Sequence, residues 1–239
     1  MAYKPALSEG DLHSKNFKAI RTWVSENKSK LKAPPNKTIL YSGRDYDLED
    51  MEDELGKRVS PEDRKTFMGT PMYKVVEKWQ KHANAAKDAK VGVGFKTLPD
   101  ILKTLKPPVI VDKDRKEIPY PNAWVFFNEL GKTADLDALL PNRKKIAKDV
   151  WGELSDIFAS HAVGDIQIFD GAADDYGILQ KDKDFIMREL PALLKDPKLS
   201  KQAKDLLAKK IGEFGSHFDR RYTELLRNLQ DGRETLKTK

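Results

Sequence analysis

Cysteine is absent from this chain. Disulfides, thiolate nucleophiles and thiolate zinc sites are thereby excluded. The core has to hold without cross-links, which suits a protein that folds in a reducing cytosol. Long apolar runs are missing as well: no window approaches the roughly 18 residues that a membrane span requires. Met1-Ala2-Tyr3-Lys4-Pro5 has no apolar segment behind it, so no secretory signal is expected. The expected location is a cytoplasm, either that of the producing cell or that of a target cell reached by a specialised secretion route. Histidine is scarce and scattered (His13, His82, His161, His217), with no pair on one helix face at metal-ligand spacing. No nucleophile elbow supports Ser/His/Asp chemistry. Gly92-Val93-Gly94 is too little for a dinucleotide fingerprint, and no GxxxxGK[ST] phosphate cradle is present. Internal repeats and low-complexity tracts are absent.

What is there is an ordinary, rather polar globular composition. A length of 239 residues allows one large domain or two small ones, with a sizeable core. The formal net charge is +6, from 44 basic and 38 acidic residues whose signs are interspersed. A nucleic-acid surface needs a basic stripe with interleaved aromatics. The best candidates, residues 28–32 and the cluster Arg143-Lys144-Lys145, are short, so nucleic acid is a disfavoured partner. A basic surface suits a polyanionic small substrate or an acidic protein equally well.

Along the chain, Ser8 and Asp11 are positioned to cap a helix carrying Phe17, Ile20, Trp23 and Val24 on one face, which Pro34-Pro35-Asn36 stops. Thr38-Ile39-Leu40-Tyr41-Ser42, ended by Gly43, reads as a buried strand. Ser60-Pro61-Glu62-Asp63 is a helix start. A second helix begins near Thr70-Pro71, carries Met72, Val75, Val76 and Trp79, and reaches about Ala89. Val109-Ile110-Val111, a polar turn, and Glu117-Ile118 read as a hairpin, and residues 124–130 form an apolar patch. Residues 143–160 form an amphipathic helix with Ile146, Val150, Leu154, Ile157 and Phe158 as its stripe. Residues 165–169 read as a strand, residues 185–190 as another, and residues 202–230 as two helices broken near Gly212–Gly215. Strands separated by helices give an α/β fold class, with a helix-rich N-terminal part packed on a C-terminal, mostly parallel sheet flanked by helices. The expected division is a helical part with the first strand (1–90), an insertion of unknown role (91–145), and an α/β part with C-terminal helices (146–239).

Within residues 149–190 an aromatic, a hydroxyl and a carboxylate surround one helix–strand unit. Trp151 and Ser155 are one turn apart on the same helix face, followed by Phe158-Ala159. Next come Gly164-Asp165-Ile166-Gln167-Ile168-Phe169-Asp170-Gly171, a polar loop, Phe185, and Glu189 four places on. Taken singly, Trp151 reads as a core aromatic, Ser155 as a tolerated helix serine, and Glu189 as a solvated carboxylate. In order, these anchors resemble the ADP-ribosyl cyclase / NAD glycohydrolase family. An earlier anchor is Ile39-Leu40-Tyr41-Ser42-Gly43-Arg44, where the family has a strand ending in an aromatic-Ser pair. A third is Thr66-Phe67-Met68-Gly69-Thr70, where the family has Thr-Leu-Glu-x-Thr.

The resemblance implies an ADP-ribosyl cyclase-like fold and metal-independent cleavage of the nicotinamide–ribose bond of NAD⁺, or of NADP⁺, without a cofactor. It assigns Glu189 and Ser155 to catalysis, and Trp151, Tyr41, Ser42, Arg44, Thr66 and Phe185 to substrate binding. Two of those residues keep open alternatives. Tyr41 is either a pocket wall or a core tyrosine, and Arg44 either holds a phosphate or pairs with Asp45 or Asp47. Met68 stands where the family has an acid that biases cyclisation against hydrolysis, which leaves the product open. The animal members are disulfide-stapled, and this chain is not. It is more similar to bacterial NAD-degrading toxin domains, for which an acidic immunity protein is the implied partner. The alternatives are a nuclease-type toxin and a non-enzymatic interaction module.

Overall fold

A computed structural model of the protein describes residues 7–42, 44–45, 70–85, 94–170, 189, 193 and 196–215. The chain is α/β: among these residues are six α-helices, a two-stranded parallel sheet and two short antiparallel ladders. Two compact units form, each from two separated stretches of chain: Met1–Lys32 with Thr97–His161, and Ala33–Lys96 with Ala162–Lys239. No described helix is long and apolar enough to cross a membrane.

The first unit is mostly helical. Helix α1 (Glu9–Asn27) starts at Ser8, whose hydroxyl accepts from the Asp11 N–H at 3.2 Å, satisfying one of the free donors of a helix start. Its buried residues are Leu12, Asn16, Ile20, Trp23, Val24 and Asn27. Phe17, expected on that face, is instead 45% exposed. Asn16 occupies the interior in its place because a strand edge there needs a polar partner. The Asn16 side-chain amide donates to Val111 O and accepts from Val111 N–H, both at 2.9 Å, and so acts as one more rung of ladder. Val111 belongs to β4 (Ile110–Val111), which pairs antiparallel with β5 (Glu117–Ile118) through the expected polar turn.

The stretch that the sequence left without clear elements supplies two further helices to this unit. The first of them, Leu98–Thr104, opens with a reciprocal capping box between Thr97 and Asp100. The apolar patch at 124–130 is a helix, Ala123–Lys132, started by Asn122, whose side chain accepts from the Val125 N–H. These are called αA and αB below. The long helix αC (Arg143–Ser160) buries Ala147, Val150, Leu154, Ile157 and Phe158, while Ile146 lies only partly inside. Phe126, Phe127, Phe158, Leu102, Leu130 and Leu154 are fully buried and make this unit's core. Arg143 is buried and does not belong to an open basic patch. Its Nη1 donates to Leu130 O, near the negative end of αB, at 3.3 Å, and its Nε lies 2.7 Å from Asp137 Oδ1.

The second unit is built on β1 (Thr38–Ser42) and β6 (Ile166–Asp170), paired parallel with Thr38 opposite Ile166 and Ser42 opposite Asp170. On its other side β1 is bridged by the Lys96 segment: Ile39 N–H donates to Lys96 O at 2.9 Å. A strand paired on both sides needs apolar residues on both faces, and Ile39 and Leu40 are both buried. Strand β2 (Arg44–Asp45) pairs with β3 (Thr70–Pro71), which leads into the helix αD (Met72–Ala85). Thr70-Pro71 is therefore strand, and the helix starts just after it. Residues 185–190, expected as a strand, meet helical backbone at Glu189, and Leu193 is helical too. Helix αE (Lys201–Gly215) runs through Gly212 to Gly215, the far edge of the stretch where a break was expected, and residues 216–230 lie outside the described residues. The anticipated helix start at Ser60 lies outside the described residues.

Replacing Asn16 by Leu leaves the Val111 N–H and C=O buried without partners. The expected loss is about 2–4 kcal/mol of stability, seen as a lower urea midpoint; an unchanged midpoint would contradict this account of the strand edge.

Candidate functional site

The C-terminal ends of two parallel strands are where chemistry collects in α/β proteins, because the chain leaves the sheet there in loops. Here the parallel register sets Tyr41 level with Phe169 and Ser42 level with Asp170. Tyr41 opposite Phe169 and Ser42 opposite Asp170 thus end β1 and β6 together. The opposite ends of the strands are fastened by polar contacts. Asn36, at φ 60°, accepts from Asp165 N–H at 2.7 Å, and its own N–H donates to Val163 O at 2.8 Å. Gly164, at φ 76°, leaves no room for a side chain: a Cβ would meet Asn36 Oδ1 at 1.9 Å. The Gly164 N–H donates to Lys198 O and its carbonyl accepts from Ser200 N–H. The Ser200 hydroxyl accepts from Ala203 N–H in the first turn of αE and donates to the Asp165 carboxylate. The glycine that the sequence offered as part of a functional motif is thus a fastening point.

Tyr41 is half-buried and packs on the apolar cluster of Ile39 and Val76, together with Val75, Trp79, Phe95 and Phe169. The Trp79 ring lies edge-on to Phe95 and to Phe169, at 5.2 and 5.3 Å between centroids. This packing seats Tyr41 on the core and leaves it only half-buried, which fits either reading of the residue. Ser42 and Arg44 are described by their backbones, at the end of β1 and the start of β2. Glu189 is half-buried in helical backbone. Thr66 and Phe185 lie outside the described residues.

Trp151 and Ser155 belong to the first unit, on αC, and both are half-buried. The Trp151 indole N–H donates to Phe127 O of αB at 3.2 Å. Its ring stands edge-to-face with Trp124 at 5.7 Å and with Phe127 at 6.4 Å, and Phe127 in turn meets Trp23 at 5.0 Å. Trp151 is therefore held rigidly between helices and still keeps part of its surface open. Trp124 was missed as a candidate; its signal was its place in the apolar patch directly after the Asn122 cap. Among the described residues no group of three or more His, Asp or Glu is placed to hold a metal ion. Comparison with known proteins finds no matching family model, no matching curated protein and no matching solved structure.

Substitutions at two positions check these placements by thermal or urea unfolding. Gly164→Ala is expected to destabilise by about 1–3 kcal/mol, from backbone strain and collision with Asn36. Trp151→Ala is expected to cost about 3 kcal/mol and Trp151→Phe about 1 kcal/mol. Wild-type unfolding midpoints in these variants would contradict the geometry.

Proposed function

We propose that the protein is an NAD⁺ glycohydrolase of ADP-ribosyl cyclase-like fold, acting as a toxin or effector that depletes NAD⁺. The observation that carries this reading is the register of β1 with β6, which brings Tyr41-Ser42 and Phe169-Asp170 to the same end of a parallel pair. The order of Trp151, Ser155 and Glu189 along the chain adds to it.

In this reading the glycosidic bond between ribose C1′ and the pyridinium nitrogen breaks heterolytically. The electron pair goes to the nitrogen, so nicotinamide leaves neutral and needs no proton. The sugar becomes oxocarbenium-like, as in glycoside hydrolysis. Catalysis is then electrostatic and positional. The resemblance gives Glu189 the ribose hydroxyls and the cation, Ser155 a part at the ribose, and Trp151 the nicotinamide ring. Tyr41, Ser42, Arg44, Thr66 and Phe185 contribute substrate contacts. Water captures the cation and releases a proton, or adenine N1 of the same molecule closes the ring. No metal or cofactor takes part, and an acidic immunity protein is the partner proposed to neutralise the basic chain.

A second reading, a non-enzymatic interaction module, is favoured by one observation: the Trp151 indole N–H is already used within its own unit. Glu189→Gln separates the two. It preserves shape and removes the charge, so the expected result is loss of NAD⁺ cleavage by at least about a hundredfold with an unchanged melting temperature. Unchanged turnover would remove Glu189 from the mechanism.

A further inference from the structure

The half-buried surface around Trp151 has a chemical character of its own, confined to the first unit. Along αC, Lys144, Lys148, Trp151 and Ser155 follow at spacings of four, three and four, so they share one face. Both lysines are exposed. The acids of αC lie elsewhere: Asp149 and Glu153 are on the opposite side, where Glu153 is taken by a forked ion pair with Arg21, and Asp156 is turned about 100° away from Ser155. The Trp151 face of αC therefore carries positive charge alone.

Trp124, on αB, closes one side of this face. Its ring meets Trp151 at 77° between planes, so the two indoles form a corner rather than a stack. Lys103, on αA, lies over the Trp124 ring at 6.0 Å from Nζ to centroid. Helices αA, αB and αC pack on one another, and the Phe127 carbonyl and ring fix Trp151 from behind. The walls are thus preformed. A flat heteroaromatic ring laid against one indole presents its edge to the other, a favoured aromatic geometry. Lysines on either side are placed for an anion attached to that ring, as point charges. A nucleotide joins a flat heteroaromatic base through a sugar to a phosphate, and stacking aromatics with flanking cations suit its two ends.

We propose that the corner formed by Trp124 and Trp151, rimmed by Lys103 and Lys148, is a mononucleotide-binding site, with the base on the indoles and the phosphate on the lysines. The site stands on the geometry of the first unit. It rests on the proposed function only where the nucleotide is identified with one half of NAD⁺.

The test is calorimetric titration of the full chain with AMP and, separately, with nicotinamide mononucleotide, beside inorganic phosphate. Saturable binding of at least one nucleotide is expected. Trp124→Ala should weaken it by about tenfold or more, and Trp124→Phe should retain most of it. Lys148→Gln should weaken it and flatten its salt dependence. Lys148 is exposed, so that variant reports even if Trp124→Ala fails to fold. Failure of both nucleotides to bind the wild type at about 10 mM overturns the proposal, as does binding by Lys148→Gln, or by a folded Trp124→Ala, equal to that of the wild type. NAD⁺ turnover is measured in parallel. Nucleotide binding without NAD⁺ cleavage keeps this site and removes the glycohydrolase reading. Cleavage with an unchanged KM in Trp124→Phe and Lys148→Gln, and no mononucleotide binding, removes the site and keeps that reading.

Discussion

Parallel pairing of β1 with β6 has to be registered without a turn, because residues 43–165 intervene between the two strands. The chain solves this at the N-terminal ends. Asn36 adopts φ 60°, spends its side-chain oxygen on Asp165 N–H and its backbone N–H on Val163 O. Gly164 supplies the backbone freedom and the empty volume that this contact needs. The same point ties in the start of αE through Ser200. Side chains in a strand alternate, so a slip of one residue would turn every β6 side chain to the other face. Tyr41 would then no longer sit level with Phe169, nor Ser42 with Asp170. The proposed chemistry at the C-terminal ends thus depends on hydrogen bonds made at the other end of the strands.

Periodicity made part of this legible. The long αC showed itself through Val150, Leu154, Ile157 and Phe158, and β1 through an unbroken apolar run with β-branched and aromatic residues. The hairpin of β4 and β5 was marked by its polar turn. The errors have physical reasons. Phe17 and Asn16 are neighbours on α1, and hydrophobicity alone assigns the interior to phenylalanine. The strand edge of β4 reverses that, since a buried N–H and C=O need an amide more than a ring needs burial. Glu189 follows Phe185-Ile186-Met187-Arg188, a run whose apolar content suits a short strand or a helix equally.

The candidate site was legible as residue types and not as positions. Sequence order picks out Trp151, Ser155 and Glu189, but says nothing of what each touches. Trp151 proves to be a strut between αB and αC as well as a partly open ring. Tyr41 packs into an apolar cluster drawn from αD (Val76 and Trp79), Phe95 and the far-removed Phe169 of β6. Trp124 had no resemblance to call attention to it, and only the packing of αB on αC set it against Trp151. The units draw on both halves of the sequence, so no contiguous stretch could have announced either one.

The proposed activity is cleavage of the bond between nicotinamide and ribose. Chromatography of the products after incubating the purified protein with NAD⁺ tests it most directly, with an RNA substrate run alongside. The account predicts one nicotinamide released for each ADP-ribose or cyclised product, and intact RNA. Unconsumed NAD⁺ at enzyme concentrations where the protein is folded, or degraded RNA in its place, would contradict it.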